Sequence, residues 1–326
     1  MNPLRFGIVG CGAVVTLHHL PVLRRCQALQ LVAVVDRDCD WAARVAAGAR
    51  IPTTYDDHRG LIGQVDAALV ATPNATHAEV ASDLLEHGIH VLCEKPLTTT
   101  RAEAERMFAA ARRGGARLMA AQSLRFNANI TMLHEMVSTG WLGELQHITA
   151  GIGGPYESTA RRTDFRRDPR LSGGGVLIDL GVHVIDVAVW LTGASPTSID
   201  YASACVGDWA VENEAEANLH FAGGVTAEIM ASFARPLGNA IEVRGTTGWA
   251  LAPLYTPTEL VFFTEEAAIC RRAGMQTLRL DAVNMYAAQV AHFCEAVATE
   301  TPFLVTPEQM LATLEVVDRC YARMAA

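Results

Sequence analysis

This chain has fewer basic than acidic residues. Its 326 residues include 26 Lys and Arg against 35 Asp and Glu, which gives a formal net charge of −9. Proteins that bind nucleic acids usually present a basic surface, so this balance argues against a nucleic-acid partner. The net charge therefore argues against one class of partner, but it does not identify the actual partner.

Metal-binding and redox cysteine motifs are also missing. The closest of the eight cysteines, Cys26 and Cys39, lie 13 positions apart, and no C-x-x-C spacing occurs. We expect reduced thiols that pack as small apolar side chains, and no metal site.

No stretch is typical of a membrane span or a targeting segment. The most apolar run, GVLIDLGVHVIDVAVWLTG, is interrupted by Asp179, His183 and Asp186. Such groups are expensive in a bilayer. The apolar start, FGIVGCGAVV, carries a glycine pattern that a signal peptide does not need. We expect a cytoplasmic protein without a membrane partner.

Apolar strands and helical patterns alternate over the first 120 residues. Strands are predicted at RFGIVG, LQLVAVVD, VDAALVAT, IHVLC and ARLMAA, with helices over 16–25, 38–47, 75–87 and 100–113. Strand, helix and strand at this spacing predict a parallel, doubly wound sheet. The continuous apolar strands fit a sheet that is covered on both faces.

The pattern changes after about residue 122. A helix over 127–139, a strand over 145–153 and a long helix over 173–192 precede an alternating region, 197–280, and two final helices, 283–299 and 307–323. In VENEAEANLHF, Val211, Ala215, Ala217, Leu219 and Phe221 face one way, and Glu212, Glu214, Glu216 and His220 face the other.

We therefore predict an α/β protein of two domains. Residues 1–122 form a dinucleotide-binding Rossmann domain, and residues 123–326 form an α+β domain with an open, mostly antiparallel sheet. An alternative is that the C-terminal helix packs back on the first domain. An open sheet face invites a partner subunit, so we expect a homodimer or homotetramer.

GIVGCGAVV follows the first strand and opens a helix. Gly10 and Gly12 match the first two glycines of the dinucleotide fingerprint, which allow a tight turn and a close approach to a pyrophosphate. The third position is Val15 instead of Gly or Ala. Helix and strand must therefore pack with a side chain between them.

Asp36 ends the second strand, 24 residues after Gly12. An acid at this place accepts hydrogen bonds from an adenosine ribose. The alternative is an ordinary turn with a helix N-cap at Asp36 or Asp38. Asp36 repels a 2′-phosphate, which favours NAD, whereas Arg37 could stack on adenine or attract that phosphate, which leaves NADP open.

Asp179, His183 and Asp186 stand at i, i+4 and i+7 of the apolar helix. Buried carboxylates and imidazoles need partners, so the stripe indicates a site, a satisfied buried network or a metal site. We interpret Asp186 as structural. We interpret Asp179 and His183 as functional, because Lys95 supplies an ammonium that can join them in acid–base chemistry.

The segments GCGAVV, ATPNATH, CEKPL and GGGVLIDLGVHVID occur in this order. Together they resemble the Gfo/Idh/MocA family of glucose–fructose oxidoreductases, inositol dehydrogenases and relatives. The resemblance covers nearly the whole chain. It implies that Lys95 reaches the nicotinamide ribose and the reacting hydroxyl, while Asp179 and His183 hold substrate hydroxyls and one group relays the proton.

The resemblance and the glycine motif imply a wider cofactor site. Its predicted members are Gly10, Gly12, Ala13, Val14, Asp36, Arg37, Thr72, Pro73, Asn74, His77, Glu94 and Lys95. Strand ends of a parallel sheet carry ligands at their carboxyl side, and Pro96 would hold Lys95 at that edge. We predict a cis bond between Lys95 and Pro96.

Five arginines crowd the segment ARRTDFRRDPR. Arg162 and Arg166 are candidates for binding an anionic group of the substrate, with Tyr156 as a further candidate in the pocket. The alternative is a solvated loop that pairs with surplus acids, or a subunit contact.

Three functions remain open at this point. The first is an NAD(P)-dependent dehydrogenase or reductase that acts on a sugar, cyclitol or related polyol. The second is a redox-neutral hydrolase or epimerase that oxidises its sugar transiently. The third is a non-catalytic sensor of nucleotide and sugar. It ranks last because the resemblance implies that such relatives tend to lose the lysine or the histidine, whereas Lys95 and His183 are both present.

Overall fold

The computed structural model of the chain describes residues 3–156, 164–265 and 273–324. These residues form two compact units. The first unit contains residues 3–122, 164–173 and 286–311, and the second contains the remaining described residues. Both units are therefore discontinuous in sequence. The division into functional domains at 1–122 and 123–326 stays a proposal.

The first unit is built on a six-stranded parallel sheet. Its strand order, β3-β2-β1-β4-β5-β6, is that of a dinucleotide-binding Rossmann fold, as predicted. Only the short third strand was missed, because TTY has no apolar run. The strands are β1 (Leu4–Val9), β2 (Leu29–Val35), β3 (Thr53–Tyr55), β4 (Ala67–Val70), β5 (His90–Cys93) and β6 (Leu118–Ala120).

The second unit is built on an eight-stranded, mostly antiparallel sheet with the order β14-β13-β12-β11-β7-β10-β9-β8. The pair β7 and β10 is parallel, so the sheet is mixed. The strands are β7 (Leu145–Gly153), β8 (Ser198–Ala204), β9 (Glu214–His220), β10 (Thr226–Ser232), β11 (Ala240–Gly245), β12 (Gly248–Pro253), β13 (Glu259–Thr264) and β14 (Gly274–Arg279).

Most helices lie close to their predicted positions. The α-helices are α1 (Leu20–Leu23), α2 (Cys39–Ala49), α3 (His77–Glu86), α4 (Arg101–Gly114), α5 (Ala128–Ser138), α6 (Pro169–Ser172), α7 (Val182–Thr192), α8 (Met285–Thr299) and α9 (Pro307–Met324). The Asp38 carboxylate caps α2 by accepting from Trp41 N, and Thr100 caps α4 by accepting from Glu103 N.

Two predicted helices contain π-helical turns. The helix expected over 16–25 consists of a π-helix, Val15–His19, followed by α1. The helix expected over 173–192 breaks at Gly173 and Gly174, which have φ angles of +77° and +159°, and continues as a π-helix, Leu177–Gly181, and α7. A π-helical turn shifts the residues that follow it, so the predicted stripe is not straight.

The stretch Pro169–Thr192 is the one candidate membrane span among the described residues, and 83% of its most apolar window is buried inside the protein. A mostly buried core helix passes the same test of length and composition. The stretch is therefore weak evidence for a membrane span. The described cysteines are all free thiols, and Cys11 and Cys93 are buried.

Asp186 forms a buried ion pair in the second unit. Arg125 donates to its two carboxylate oxygens from Nε and Nη2, both at 2.7 Å, and neither residue exposes more than 1% of its surface. The Trp190 ring lies beside the guanidinium, with 5.1 Å between Arg125 Cζ and the ring centroid. The structural interpretation of Asp186 is confirmed.

We expect Arg125→Met to lower the free energy of unfolding by about 3–5 kcal/mol, because it leaves the Asp186 carboxylate buried without its cation. Urea denaturation followed by circular dichroism measures the change. The control is Arg5→Met, which removes an exposed ion pair with Asp66 and should cost about 0–1 kcal/mol. Equal effects of the two substitutions would contradict this account.

Candidate active site

The turn after β1 has the geometry of a dinucleotide-binding loop. Gly10 has φ +93°, and a Cβ there would lie 2.4 Å from the Ala71 carbonyl oxygen, so only glycine fits. A Cβ on Gly12 would meet no atom within 4 Å, which leaves room for a pyrophosphate close to the backbone. Val15 is fully buried and packs in the third position of the motif.

Ala13 and Val14 continue this turn, and both are partly exposed. They lie between Gly12 and the π-helix that begins at Val15. The first turn after the glycines is therefore accessible from solvent. This position fits the contacts with a cofactor that the sequence predicts for them.

Asp36 lies beside the same turn. Its carboxylate accepts hydrogen bonds from Cys11 N at 2.9 Å and from Asp38 N at 3.0 Å. Asp38, and not Asp36, caps α2. Asp36 is thus fixed at the end of β2, where a ribose-binding acid is expected, and Arg37 is exposed next to it. These residues fit the adenosine half of a dinucleotide.

The segment after β4 is held by hydrogen bonds within the first unit. Thr76 Oγ1 donates to Thr72 Oγ1 at 2.7 Å, and Asn74 Nδ2 donates to the Ser172 carbonyl oxygen at 2.8 Å. Asn74 is buried, whereas Thr72 and Pro73 are partly exposed. Thr72 and Pro73 are therefore the accessible members of this predicted cofactor segment.

His77 lies underneath two loops. Its Nδ1 is 2.9 Å from the Pro96 carbonyl oxygen, its Nε2 is 2.8 Å from the Thr72 carbonyl oxygen, and the residue is fully buried. Burial lowers the pKa of His77, against the opposite effect of these carbonyls. The geometry gives His77 a supporting position, and its contact with a cofactor stays a prediction.

Glu94 and Lys95 follow β5. The peptide bond between Lys95 and Pro96 is cis, as predicted. Lys95 is partly exposed and is the only lysine in the sequence. Glu94 is only 7% exposed, and its Oε1 lies 2.6 Å from His19 Nε2. Sequence reasoning missed His19, because no pattern links it to a residue 75 positions later.

The carboxyl ends of β1, β2, β4 and β5 share one edge of the first unit's parallel sheet. The structure therefore brings together the glycine turn, Asp36, the Thr72 segment and Lys95, which lie far apart in sequence. Such an edge is where open α/β sheets bind their ligands.

Asp179 and His183 belong to the second unit. Asp179 is 5% exposed in the π-helical turn, and His183 is partly exposed in the first turn of α7. Both remain near the beginning of the apolar helix, whereas Asp186 is occupied by Arg125. The structure thus separates the functional candidates from the structural one.

Glu212 anchors the beginning of this helix. Its carboxylate accepts from Gly175 N at 3.0 Å, from Leu177 N at 3.3 Å and from the Tyr321 hydroxyl at 2.7 Å. The predicted alternation places Glu212 on the polar face with Glu214 and Glu216, but Glu212 is only 4% exposed. The alternation does not extend to it, because β9 begins at Glu214.

Two candidate substrate arginines have different outcomes. Arg162 lies outside the described residues. Arg166 is partly exposed and stacks on the neighbouring Phe165 ring, with 4.7 Å between its Cζ and the ring centroid. Arg170 pairs with Asp168 at 2.8 Å on the surface, as the solvated-loop alternative expects for this arginine. A substrate contact of Arg166 stays a prediction.

Tyr156, in the second unit, belongs to an aromatic cluster. Its ring centroid is 5.2 Å from that of Trp209 and 5.1 Å from that of Phe233. Tyr156 N also donates to the Phe233 carbonyl oxygen at 2.9 Å. No sequence pattern groups Trp209 with Tyr156, because the two residues are 53 positions apart. Within the described ranges, no group of three or more His, Cys, Asp or Glu residues is arranged to hold a metal ion.

Comparison with known proteins matches both halves of the chain to one family. The model of an oxidoreductase family with an NAD-binding Rossmann fold, GFO/IDH/MocA, matches residues 4–122. The model of the GFO/IDH/MocA C-terminal domain matches residues 130–251.

Individual relatives agree with these matches. Trans-1,2-dihydrobenzene-1,2-diol dehydrogenase of Mus musculus is 32% identical over 266 residues, 79% of this chain and 77% of the relative. D-xylose 1-dehydrogenase (NADP(+)) 2 of Haloferax volcanii is 28% identical over 327 residues, 98% of this chain and 96% of the relative. The crystal structure of aldose-aldose oxidoreductase from Caulobacter crescentus complexed with glycerol has a TM-score of 0.89 at 25% identity, covering 99% of this chain and 98% of that one.

Substitution of the two glycines of the turn should affect different properties, stability at Gly10 and NADH binding at Gly12. We expect Gly10→Ala to destabilise the protein by about 1–3 kcal/mol, because its φ is positive and its Cβ would overlap the Ala71 carbonyl. We expect Gly12→Val to leave the melting temperature nearly unchanged but to weaken NADH binding by about tenfold or more, or about 1.4 kcal/mol. Thermal unfolding and NADH fluorescence titration measure both. Normal NADH affinity in Gly12→Val would contradict the assigned loop.

The raised pKa of Glu212 predicts that the stability of the protein depends on pH. Burial raises its pKa, against the opposite effect of the Tyr321 hydroxyl and the backbone N–H groups. Because the folded-state pKa lies above that of the unfolded chain, its contribution to stability is complete below the unfolded pKa and is lost as pH rises through the folded pKa.

We therefore expect the free energy of unfolding of Glu212→Gln to increase relative to that of wild type as pH rises from 4 to 7, because only the wild-type protein loses this contribution. Urea denaturation across this range provides the measurement. A difference between the two proteins that does not change with pH would rule out titration of Glu212.

Proposed function

Because the chain belongs to the GFO/IDH/MocA oxidoreductase family, we propose that it oxidises or reduces a carbon-bound oxygen of a sugar, cyclitol or related polyol. The protein is an NAD(P)-dependent oxidoreductase that acts on CH–OH groups. The nicotinamide, when bound, supplies the hydride chemistry. The convergence of the glycine turn, Asp36 and Lys95 on one sheet edge carries this proposal.

The residues of the first unit would hold the dinucleotide. The open backbone at Gly12 receives the pyrophosphate, and the Asp36 carboxylate accepts from the adenosine ribose. Asp36 would repel a 2′-phosphate, so we propose NAD as the preferred cofactor. The exposed Arg37 is the residue through which NADP would be accepted instead.

Lys95 has the central chemical role in this proposal. Its ammonium carries three donors and a positive charge, so it can hold the reacting hydroxyl oxygen and stabilise negative charge that develops there. Asp179 and His183 would hold neighbouring hydroxyls, and one of them would exchange the hydroxyl proton with solvent. Their location near the beginning of one helix supports a shared role.

The substrate class rests on the character of these groups. A carboxylate, an imidazole and an ammonium offer donors and acceptors for several adjacent hydroxyl groups, which sugars and cyclitols present. Two relatives are named as dehydrogenases of D-xylose and of a dihydrobenzenediol, which agrees with this class. Tyr156 and Arg166 are proposed as further substrate contacts.

We also propose that a second copy of the chain covers the outer face of the eight-stranded sheet. Trp249, Phe263 and Met275 occupy facing positions on β12, β13 and β14, and Met275 is 73% exposed. Leu251 and Val261 extend this apolar patch on the same face. A contiguous apolar surface of this kind favours a subunit interface.

A cytoplasmic location is part of the same proposal. Cys11 and Cys93 are buried cysteines that form no disulfide bond, and they lie close to the predicted cofactor site. A reducing compartment keeps such thiols in this state.

The first test is reduction of NAD or NADP with a panel of sugars, cyclitols and sugar acids, followed by absorbance at the nicotinamide band. We expect reduction with at least one class, and a loss of about 10²–10⁴-fold in kcat/KM in Lys95→Ala. NADH titration shows whether the variant still binds nucleotide.

The control is Arg113→Ala, which removes a surface arginine that pairs with Glu86 and should leave kcat/KM unchanged. Tight nucleotide binding without net reduction on any substrate would contradict the dehydrogenase proposal and favour redox-neutral chemistry. An unaffected Lys95→Ala enzyme would contradict the role of Lys95.

The oligomer proposal predicts that Phe263→Glu shifts the protein to a smaller species, because it places a charge inside the apolar patch. Light scattering coupled to size-exclusion chromatography gives the molar mass. Arg59→Glu, a charge reversal on the surface of the first unit, should leave the mass unchanged. A monomeric wild-type protein would contradict the proposal.

A further inference from the structure

A buried hydrogen bond joins His19 to Glu94, the residue that precedes Lys95. His19 Nε2 and Glu94 Oε1 are 2.6 Å apart, and the two side chains expose 0% and 9% of their surface. The other carboxylate oxygen, Oε2, accepts from the backbone N–H of Lys95 at 3.1 Å. The Glu94 carboxylate therefore joins His19 to the backbone of the proposed catalytic lysine.

The chemistry of this pair has a defined direction. A carboxylate only accepts, so His19 Nε2 is the donor. Burial by itself would raise the pKa of Glu94, but the hydrogen bond from His19 and the charges of His19 and Lys95 lower it overall. Glu94 therefore stays anionic, and both of its oxygens are fixed in orientation.

An aromatic side chain covers the pair. Tyr286, at the beginning of α8, packs edge-on against His19 with 5.0 Å between the ring centroids. On its other side Tyr286 stacks parallel to His18 at 4.9 Å. The groups that share electrostatic interactions with Glu94 are His18, His19, His77, Cys93 and Lys95.

We propose that His19 is a positioning residue, which keeps Glu94 anionic and oriented so that Glu94 holds Lys95 in place for the reaction. This inference rests on the proposed function of Lys95. A plain structural role would make the pair important for folding but not for the behaviour of Lys95. The two accounts differ in whether replacing His19 changes the titration of Glu94 that the Lys95 side-chain signal reports.

Three substitutions separate the contributions. His19→Leu removes the donor and leaves the Glu94 carboxylate buried without it. His19→Gln places an amide N–H close to the position of Nε2 and should restore the interaction. Glu94→Gln removes the charge at nearly constant shape. His18→Leu is the matched control, since the neighbouring histidine is exposed and makes no hydrogen bond with Glu94 among the described contacts.

The single lysine makes a direct measurement possible. Protein labelled with lysine carrying ¹³C at Cε gives one side-chain signal, that of Lys95. In wild-type protein we expect no inflection from Glu94 between pH 5 and 8. In His19→Leu we expect an inflection in this range, because the hydrogen bond that lowers the pKa of Glu94 is gone. It should be absent from His19→Gln, His18→Leu and the double variant His19→Leu/Glu94→Gln.

A His19→Leu signal that titrates like that of wild type would overturn the inference. If His19→Leu is too unstable to purify, His19→Asn replaces it, because its shorter amide does not reach Glu94. This measurement needs no substrate. It therefore decides the role of His19 even if the search for a substrate fails and the proposed function with it.

The kinetic measurement applies once a substrate is known. We expect His19→Leu to lower kcat by about tenfold or more, or about 1.4 kcal/mol, with a smaller change in KM. The acid limb of its pH–rate profile should move to higher pH, and His19→Gln should restore both. A loss of stability with unchanged kcat and an unchanged acid limb would show that the pair is only structural.

Discussion

The close approach of the β1 turn to the end of β4 is the contact on which the proposed cofactor site depends. Gly10 lies so near the Ala71 carbonyl that no side chain fits between them. This contact fixes the turn on the shared carboxyl edge of the sheet, where Asp36, Thr72 and Lys95 follow the ends of β2, β4 and β5. The parallel arrangement converts residues that are distant in sequence into neighbours, which no single strand could provide.

Buried charge recurs in both units, and it serves different purposes. Arg125 and Asp186 form a pair with two short hydrogen bonds, and both residues are buried. Glu94 also has a buried partner, but its second oxygen is bound to the backbone of Lys95. Because desolvated charges are expensive unless they are paired, each of these carboxylates is held by a partner. The remaining contact of Glu94, with the backbone of Lys95, distinguishes the structural pair from the one for which we propose a function.

Fold and chemistry are separable in this protein. Relatives of similar architecture are named for xylose, a dihydrodiol and aldoses, so the scaffold does not determine the substrate. Tyr156, which packs against Trp209 and Phe233, and Arg166, which stacks on Phe165, are the further residues that we propose to contact the substrate.

The sequence by itself determined the alternation of strands and helices, the glycine turn, Asp36 and the lysine before Pro96, because each is a local pattern of hydrophobic period or of backbone requirement. It also separated Asp186 from the functional candidates. Tertiary structure decided the rest. The partners of Asp186, Glu94 and Glu212 come from segments tens of residues away, and periodicity carries no information about such contacts. The π-helical turns were not predicted for a related reason, because they shift the register of a helix without changing its composition.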